Sequence, residues 1–457
     1  MRKRLLNTTM LTTILALAWP TMLEELMQTA VQYIDTAMVG ALGTHATAAV
    51  GATTTVGWLI GNSISALGVG FLSFIARAYG AGDRKAASRA VSQAVLVTCF
   101  VGVLFTALTL GFSGLVPVWM RVDPAVRDLA SRYFFILYLP MLPRTAILIF
   151  GSALRAAGDT KTPMKVGLWV NIINVVLNFI LIYPTRELTI LGRTFLMPGA
   201  DLGVLGAAAA SAAAFTFGGI RITAALWKHP LISPRGASFR PDWTILKPCM
   251  KVALPNGLQH FGTSLGYVAF AAMINSLGEV STAAHTIANT VESAFYIPGY
   301  GMQIAAATLA GNAYGANDRQ RMNELARMFL PLEVALMIFS GGTLFLLAPS
   351  LVGLFSRSGE VMRLAVTVLR MVALSEPFYG FSIIVEGMMF GTGNTRQPFV
   401  FNILGMWGVR IVGTFLCTQL LGFGLLSAWG CMIAHNMLLF LLFFRCYIRK
   451  KWNPLEK

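Results

Sequence analysis

Long apolar stretches separated by short polar segments follow one another along almost the whole chain. A helix needs roughly 20 apolar residues to cross a bilayer core, and each stretch meets that length. Barrel strands instead alternate polar and apolar residues over about ten positions. The pattern predicts an all-α membrane protein with twelve transmembrane helices, at residues 11–40, 46–76, 88–113, 125–154, 163–184, 202–227, 248–275, 281–312, 322–348, 360–391, 398–421 and 424–448.

The second half of the chain repeats the first. Ala-Tyr-Gly-Ala-Gly-Asp-Arg at 78–84 recurs as Ala-Tyr-Gly-Ala-Asn-Asp-Arg at 313–319, and the same spacing of 235 residues carries Pro20 onto Pro255. Matches at one spacing indicate a tandem duplication. Each copy holds six predicted helices, an even number, so the copies enter the membrane in the same sense as parallel repeats.

The duplication predicts two pseudo-symmetric six-helix lobes, residues 1–227 and 248–457. The segment between them, 228–247, is rich in proline and has no helical periodicity, which is typical of a linker. We expect this linker in the cytoplasm. Toward the end of the first copy the spacing to the second copy shortens, which places about fourteen extra residues in the loop 185–201.

Composition and charge support a membrane location. The chain is 56% hydrophobic and 12% charged, whereas soluble domains average about 25% charged residues. Its net charge of +16 is concentrated in alternate loops, which is the positive-inside pattern and not the basic groove of a nucleic-acid-binding protein. We therefore expect a multi-pass protein of the inner, cytoplasmic membrane, with both termini cytoplasmic and no nucleic-acid partner.

Asp35 is the leading candidate for ion coupling, because a carboxylate within the hydrocarbon layer is costly and usually functional. On the fifth predicted helix, Asn174 and Asn178 share one face. A carboxylate with neutral amide oxygens suits a monovalent cation such as Na⁺, or a proton that neutralises Asp35. The alternative for the asparagines is plain hydrogen bonding between helices.

Polar side chains on other helices predict a substrate cavity. Glutamine side chains precede Asp35 on one stripe of the first helix, and a carboxylate lies among aromatic residues on the eighth. Such a setting suits organic cations through charge attraction and cation–π contact. The predicted cavity residues are Gln28, Gln32, Glu292, Tyr296, Gln303 and Tyr379.

Two further predictions concern structure within the helices. Pro20 removes a backbone hydrogen bond from the first helix and permits it to bend, so it is a candidate hinge. Arg410 lies near the middle of the eleventh helix and needs a partner, for which Glu386 or Glu376 is at a suitable depth. An ion pair between Glu386 and Arg410 would be either a structural contact or a functional one.

Other chemistry has little support in the sequence. The chain contains no Gly-x-x-x-x-Gly-Lys-Ser/Thr motif for nucleotide phosphates. His260, His285 and His435 do not cluster at metal-ligand spacing. No nucleophile–base pair stands out, so we expect neither an enzyme nor a cofactor apart from the driving ion.

These residues, in this order and duplicated, resemble the multidrug and toxic compound extrusion family. The likeness spans nearly the whole chain and is quite specific when its motifs are taken together. Its carriers are Leu-Ala-Trp-Pro at 17–20, Asp-Thr-Ala-Met-Val-Gly at 35–40, the twin Ala-Tyr-Gly-Ala loops, Gly-Asp-Thr at 158–160 answered by Gly-Asn-Thr at 393–395, Asn-Val-Val-Leu-Asn at 174–178 and Gly-Ala-Ala-Ala-Ala-Ser at 206–211.

The resemblance implies an antiporter that exports amphipathic organic cations against inward flow of Na⁺ or H⁺. It implies a central cavity between two lobes and alternating access. We expect the protein to function as a monomer. Asp35 and Asn174 match the family's cation-site residues, Ser211 stands where a threonine is common, and Pro20 matches the proline about which the first helix bends. Asn178 stands where one branch has an aspartate, so the driving ion stays open between Na⁺ and H⁺.

Two rival functions stay open on the sequence. A flippase of the same superfamily would move lipid-linked sugars and would need more cations in its cavity to meet pyrophosphate, where Arg410 is the one strong candidate. A channel or membrane sensor is the rival from another class. It is disfavoured because channels usually assemble from several subunits, whereas this chain duplicates its own half.

Overall fold

The computed structural model describes residues 2–190 and 193–456, which are helical apart from one hairpin and short connections. This confirms the all-α class. The helices are α1 (Arg2–Gly40), α2 (Thr44–Gly80), α3 (Arg84–Gly111), α4 (Val116–Trp119), α5 (Pro124–Tyr138), α6 (Met141–Ala156), α7 (Lys161–Leu181), α8 (Gly203–Lys228), α9 (Trp243–Asn275), α10 (Glu279–Gly315), α11 (Arg319–Gly353), α12 (Gly359–Ala373), α13 (Glu376–Thr392), α14 (Arg396–Ile403), α15 (Val412–Thr414) and α16 (Leu425–Ile448).

The described helices account for the predicted spans. Seven are long and apolar enough to cross a membrane, or up to nine if each of two bent pairs is one span. The other long helices, α1, α9 and α10, lie at the remaining predicted segments. The segment predicted at 398–421 is not a regular α-helix, because π-helical turns at Leu404–Ile411 and Phe415–Leu420 interrupt it.

Two spans predicted as continuous are each broken into two helices at equivalent places. α5 and α6 meet at an angle of 50°, and α12 and α13 meet at 51°. The breaks fall at Leu139-Pro140 and at Leu374-Ser375, one repeat length apart. Pro140 lacks the N–H that would continue a helix, and in the second half Pro377 stands in the first turn of α13, so a proline lies at or just after each break.

The predicted loop 185–201 is a β-hairpin, which sequence analysis missed. Strand β1 (Pro184–Ile190) pairs antiparallel with β2 (Arg193–Ala200), in a register that places Arg186 opposite Met197. The strands are rich in threonine and other residues that tolerate extended backbone. The segment is too short and polar to resemble the spans around it, so the helical pattern gave no signal for it.

The structure divides into two compact units, each described here by itself. The C-terminal unit consists of the chain up to Glu25, Leu72–Asp83, and the chain from Lys247 onward. The N-terminal unit consists of Leu26–Phe71 and Arg84–Leu246. α1 and α2 therefore each contribute to both units, whereas the predicted lobes follow the repeat boundaries and stay a prediction.

Each unit has its own apolar core. In the C-terminal unit the first part of α1 packs against α10, α11, α13 and α16, through Ile14, Ala306, Phe329, Met388 and Phe443. A core of the N-terminal unit joins α1, α5, α7 and α8 and includes Met38, Tyr133, Ile182 and Val204. Close contacts between these buried apolar side chains stabilise each unit through dispersion attraction.

The twin Ala-Tyr-Gly-Ala motifs pack against each other within the C-terminal unit. Gly80 ends α2 with its Cα against the carbonyl of Asn312, and Gly315 ends α10 with its Cα against the carbonyl of Arg77. Asn312 is the repeat equivalent of Arg77, and Gly315 that of Gly80. The two contacts are thus one contact made twice, and both require glycine because a Cβ would collide with backbone.

We expect Gly80→Ala and Gly315→Ala each to destabilise the protein by about 1–3 kcal/mol, since backbone must move to admit the methyl group. The measurement is the melting temperature of the detergent-purified protein. Gly342→Ala is the control, because a Cβ at Gly342 meets no atom within 4 Å, and alanine favours a helix. Equal melting temperatures for the Gly315 and Gly342 variants would contradict the packing role.

The predicted linker 228–247 is docked on α3 and is not extended. Ser92 Oγ donates to the carbonyl of Ser238 at 2.9 Å, and Gln93 Nε2 donates to the carbonyl of Arg240 at 2.9 Å. Side-chain donors of α3 thereby satisfy backbone acceptors in residues 229–242, the part of the linker that lies between α8 and α9.

The chain ends in a 3₁₀ turn, Pro454–Glu456, that is tied to the start of α11. The Glu456 carboxylate pairs with Arg319 and accepts from Asn323 at 2.8 Å and from Lys450 at 3.3 Å. Hydrogen bonds from Arg319 and then Asn323 lower the pKa of Glu456 to about 2. Its stabilising effect is therefore complete above the unfolded pKa near 4.5 and is lost as the pH falls toward 2.

Candidate functional site

Four predicted cation-site residues meet in the N-terminal unit. Asn178 Nδ2, on α7, donates to Asp35 Oδ1, on α1, at 2.6 Å. Asn174 is one turn earlier on α7 and contacts Ser211 of α8 at 2.9 Å. Asn174 and Asn178 are buried, whereas Asp35 and Ser211 are half-buried. We call these four residues the Asp35 cluster.

The oxygen and nitrogen of the Asn174 amide can exchange places, and the exchanged orientation satisfies both atoms. In one orientation, Nδ2 donates to Ser211 Oγ at 2.9 Å and Oδ1 accepts from Asn178 Nδ2 at 3.2 Å. In the other, Nδ2 donates to Asp35 Oδ1 at 2.8 Å and Oδ1 accepts from the Ser211 hydroxyl at 2.9 Å. A hydroxyl can donate or accept, so Ser211 satisfies either orientation.

An acceptor in the cluster remains unused. Asn178 Oδ1 is fully buried and has no hydrogen-bond partner among the described residues. Buried polar atoms are normally satisfied, and carboxylate and amide oxygens are ligands suited to hard cations. The residues present therefore fit a Na⁺ ion or a proton as transported co-substrate.

The predicted substrate residues are found on both units. Gln28 and Gln32 are exposed on α1 in the N-terminal unit. In the C-terminal unit, Tyr296 and Tyr379 meet edge to face with ring centroids 6.5 Å apart. Glu292 lies one turn before Tyr296 on α10 and is 6% exposed.

Tyr300 completes this aromatic cluster, and sequence analysis did not include it among the site residues. Its hydroxyl lies 3.0 Å from that of Tyr379, and its ring centroid lies 5.9 Å from that of Tyr296. The signal was available, because Tyr300 is four residues after Tyr296 and shares its helix face. We call Tyr296, Tyr300 and Tyr379 the tyrosine cluster.

The predicted ion pair between Glu386 and Arg410 is absent from the described structure. Glu386 Oε1 accepts from Gln259 at 2.8 Å and from Asn402 at 2.7 Å, and Oε2 accepts from Gln303 at 2.9 Å. Three amides therefore satisfy this carboxylate. Gln303, predicted as a cavity residue, is one of these donors.

Arg410 is held by aromatic rings. Its guanidinium lies 4.1 Å from the ring centroid of Phe270 and 4.8 Å from that of Tyr267, and the residue is 3% exposed. No carboxylate of the described residues lies within 4.0 Å of it, and Glu292 interacts with it at longer range. Cation–π contact replaces the ion pair that the sequence suggested.

A further carboxylate, Glu333 on α11, was missed. It is fully buried, and neither oxygen has a hydrogen-bond partner among the described residues. Gly299 and Gly380 leave room for it, because a Cβ on either would lie 2.6 Å and 3.3 Å from Oε1 respectively. An acidic residue inside an apolar span was itself the signal.

The predicted hinge Pro20 is buried inside α1 in the C-terminal unit. The hydroxyl of the next residue, Thr21, lies 2.8 Å from the carbonyl oxygen of Gly301 on α10 and 2.8 Å from that of Ala18 in its own helix. Glycine at 301 allows this approach, since a Cβ there would lie 2.5 Å from the backbone of Met22. A tertiary contact thus fixes α1 immediately after the position where proline interrupts its hydrogen bonds.

Comparison with known proteins places this fold and site in context. The MatE family profile matches residues 20–180 and 255–416, once in each half. A probable multidrug resistance protein NorM of Thermotoga maritima is 27% identical over 440 residues, which cover 96% of this chain and 92% of that protein. The probable multidrug resistance protein YoeA of Bacillus subtilis is 25% identical over 90% of this chain and 87% of its own length.

Solved structures share the fold over nearly the full length. A MATE transporter in complex with MaD3S has a TM-score of 0.88 at 23% identity and covers 97% of this chain and 96% of its own. An outward-facing multidrug resistance MATE family transporter has a TM-score of 0.85 at 23% identity, with the same coverage. Since the family profile matches most of the chain, and matches each half separately, this protein belongs to the MatE family of membrane transporters.

Proposed function

We propose that this protein exports amphipathic organic cations from the cell in exchange for Na⁺ or H⁺, by alternating access in the inner membrane. The observation that carries the proposal is the Asp35 cluster, in which one ionisable side chain is surrounded by amides and a hydroxyl. Relatives named multidrug resistance proteins support the substrate class.

We infer that ion coupling uses rotation of the Asn174 amide. When Asp35 is ionised, the amide nitrogens of Asn174 and Asn178 donate to it. When a proton binds Asp35, its hydroxyl needs an acceptor, which Asn174 Oδ1 provides after the amide turns. A bound Na⁺ would likewise draw amide oxygens toward Asp35, and Ser211 follows either change.

This rearrangement can alter how α1, α7 and α8 pack. If the ion binds one conformation of the transporter more tightly than the other, ion binding shifts the population toward that conformation. A substrate that prefers the other conformation is then coupled to the ion. Exchange requires no further chemistry: the ion and the substrate each stabilise one arrangement of the transporter.

The tyrosine cluster and Glu292 suit the organic cation. Tyrosine faces attract cations, and the contact is worth about 2 kcal/mol or more when it is desolvated. Glu292 supplies negative charge one helical turn from Tyr296. Both features lie in the C-terminal unit, whereas the Asp35 cluster belongs to the N-terminal unit.

The position of Arg410 disfavours the flippase alternative. A pyrophosphate would need exposed cations, and Arg410 is almost fully buried between two aromatic rings. The candidate cation for pyrophosphate is therefore already engaged.

Proteoliposomes containing the purified protein test the proposal. We expect ethidium to move against an imposed Na⁺ or pH gradient, and to stop moving when an ionophore dissipates the gradient. Liposomes without protein are the control. If the rate of ethidium transport were the same with a Na⁺ gradient, with a pH gradient, with both and with neither, coupled exchange would be contradicted.

A further inference from the structure

A basic cavity lies in the C-terminal unit at one end of its helices. Its volume is about 320 Å³. Three segments line it: an early turn of α9, the connection from α13 to α14, and the tail after α16. The lining residues are Lys251, Thr392, Gly393, Asn394, Thr395, Arg396, Lys451, Trp452 and Pro454.

The charge of this cavity is not neutralised. Lys251, Arg396 and Lys451 line it, and no carboxylate does. None of these three cations has an acidic partner within the part of the chain that the structure describes. Glu456 is on the same tail, but its carboxylate is engaged by Arg319, Asn323 and Lys450.

The repeated loop of the first half provides an internal comparison. There, Asp159 Oδ1 accepts from the backbone N–H of Thr162 at 3.0 Å and caps the start of α7. The equivalent residue in the second half is Asn394, which instead donates to Gln397 at 3.4 Å. The second half therefore has an amide at the position where the first half has a carboxylate.

The start of α14 adds to the positive potential. Its N-cap residue, Thr395, makes no side-chain capping bond, because its hydroxyl donates to the carbonyl of Val252 at 2.8 Å. An uncapped helix start presents N–H groups and the positive end of the helix dipole. The three cationic side chains and the start of α14 together favour binding of an anion.

We propose that this cavity binds a phosphate-bearing anion, either the headgroup of an anionic lipid or free phosphate. The cavity lies where spanning helices end beside lysine- and arginine-rich segments, and basic pockets of this kind between membrane helices accept phosphate headgroups. This site is separate from the proposed transport sites and does not depend on them.

Lipid binding is measured by native mass spectrometry of the purified full-length protein, with phosphatidylglycerol against phosphatidylcholine. A second arm measures thermal stabilisation by inorganic phosphate in detergent. We expect the triple variant K251Q/R396Q/K451Q to reduce binding of the preferred ligand roughly tenfold or more. Selective binding in either arm identifies the source of the phosphate, and selectivity in neither overturns the proposal.

Two further variants separate ligand binding from folding. Asn394→Asp restores the carboxylate of the sister loop and should weaken anion binding, while the melting temperature without ligand is kept or raised. Lys161→Gln changes the residue equivalent to Arg396 in the first half and should leave binding unchanged. Wild-type binding by both the triple variant and Asn394→Asp would overturn the proposal.

Discussion

Replacing Asp35 by asparagine is expected to reduce ion-driven efflux roughly tenfold or more, the range in which a coupling free energy of 1–3 kcal/mol acts. Asparagine keeps the size and shape of the side chain. Its amide can pair with Asn174 and Asn178, because each of those amides can offer its oxygen or its nitrogen. The protein should therefore fold, yet it lacks the one group in the cluster that can take up a proton or hold a cation by charge.

The measurement is ethidium transport by proteoliposomes under the gradient that drives the wild type, with equal amounts of protein confirmed by gel filtration. Asp128→Asn is the matched control. Asp128 is in the same unit, its side chain is 77% exposed, and its partner is Arg132 at 3.0 Å. Undiminished gradient-driven transport by the Asp35 variant would remove this carboxylate from the mechanism.

A second large effect, on stability, is expected from Glu386→Ala. The change leaves the amides of Gln259, Gln303 and Asn402 without their acceptor. Each buried donor left unpaired costs roughly 1–3 kcal/mol, and alanine also leaves space in the core. We expect the melting temperature of the purified protein to fall by roughly 5 °C or more.

Glu386→Gln distinguishes hydrogen bonding from charge. Glutamine retains one acceptor oxygen, and Gln303 can turn its own oxygen toward the new amide, so most of the stability should return. A Glu386→Gln variant as unstable as Glu386→Ala would show that the negative charge itself is required. Wild-type stability of the alanine variant would contradict the role of Glu386 as a shared acceptor.

The corrections concern residues whose partners are distant in sequence. Arg410 and Glu386 are at compatible depths, and depth was the criterion available to sequence analysis. Rotation about the helix axis decides which neighbour a side chain meets, and rotation depends on how whole helix faces fit together. Glu386 therefore meets amides on three other helical segments, and Arg410 meets the rings of α9.

The sequence alone determined the duplication, the positions of the spans and the polar stripe around Asp35. These features are local or periodic: hydrophobic length sets a span, and spacing along one helix sets a face. The π-helical turns, the equivalent bends after Leu139 and Leu374 and the β-hairpin carried no such periodic signal.

Only the tertiary structure decided which polar groups meet. Asn178 reaches Asp35 across 143 residues of chain, and Gly315 reaches Arg77 through a fit that requires the absence of a side chain. Many pairs of polar residues lie at the same depth in a membrane protein, and the sequence does not show which of these pairs make contact. Packing selects among them, because close contact between helices is possible only where the facing side chains leave room for it.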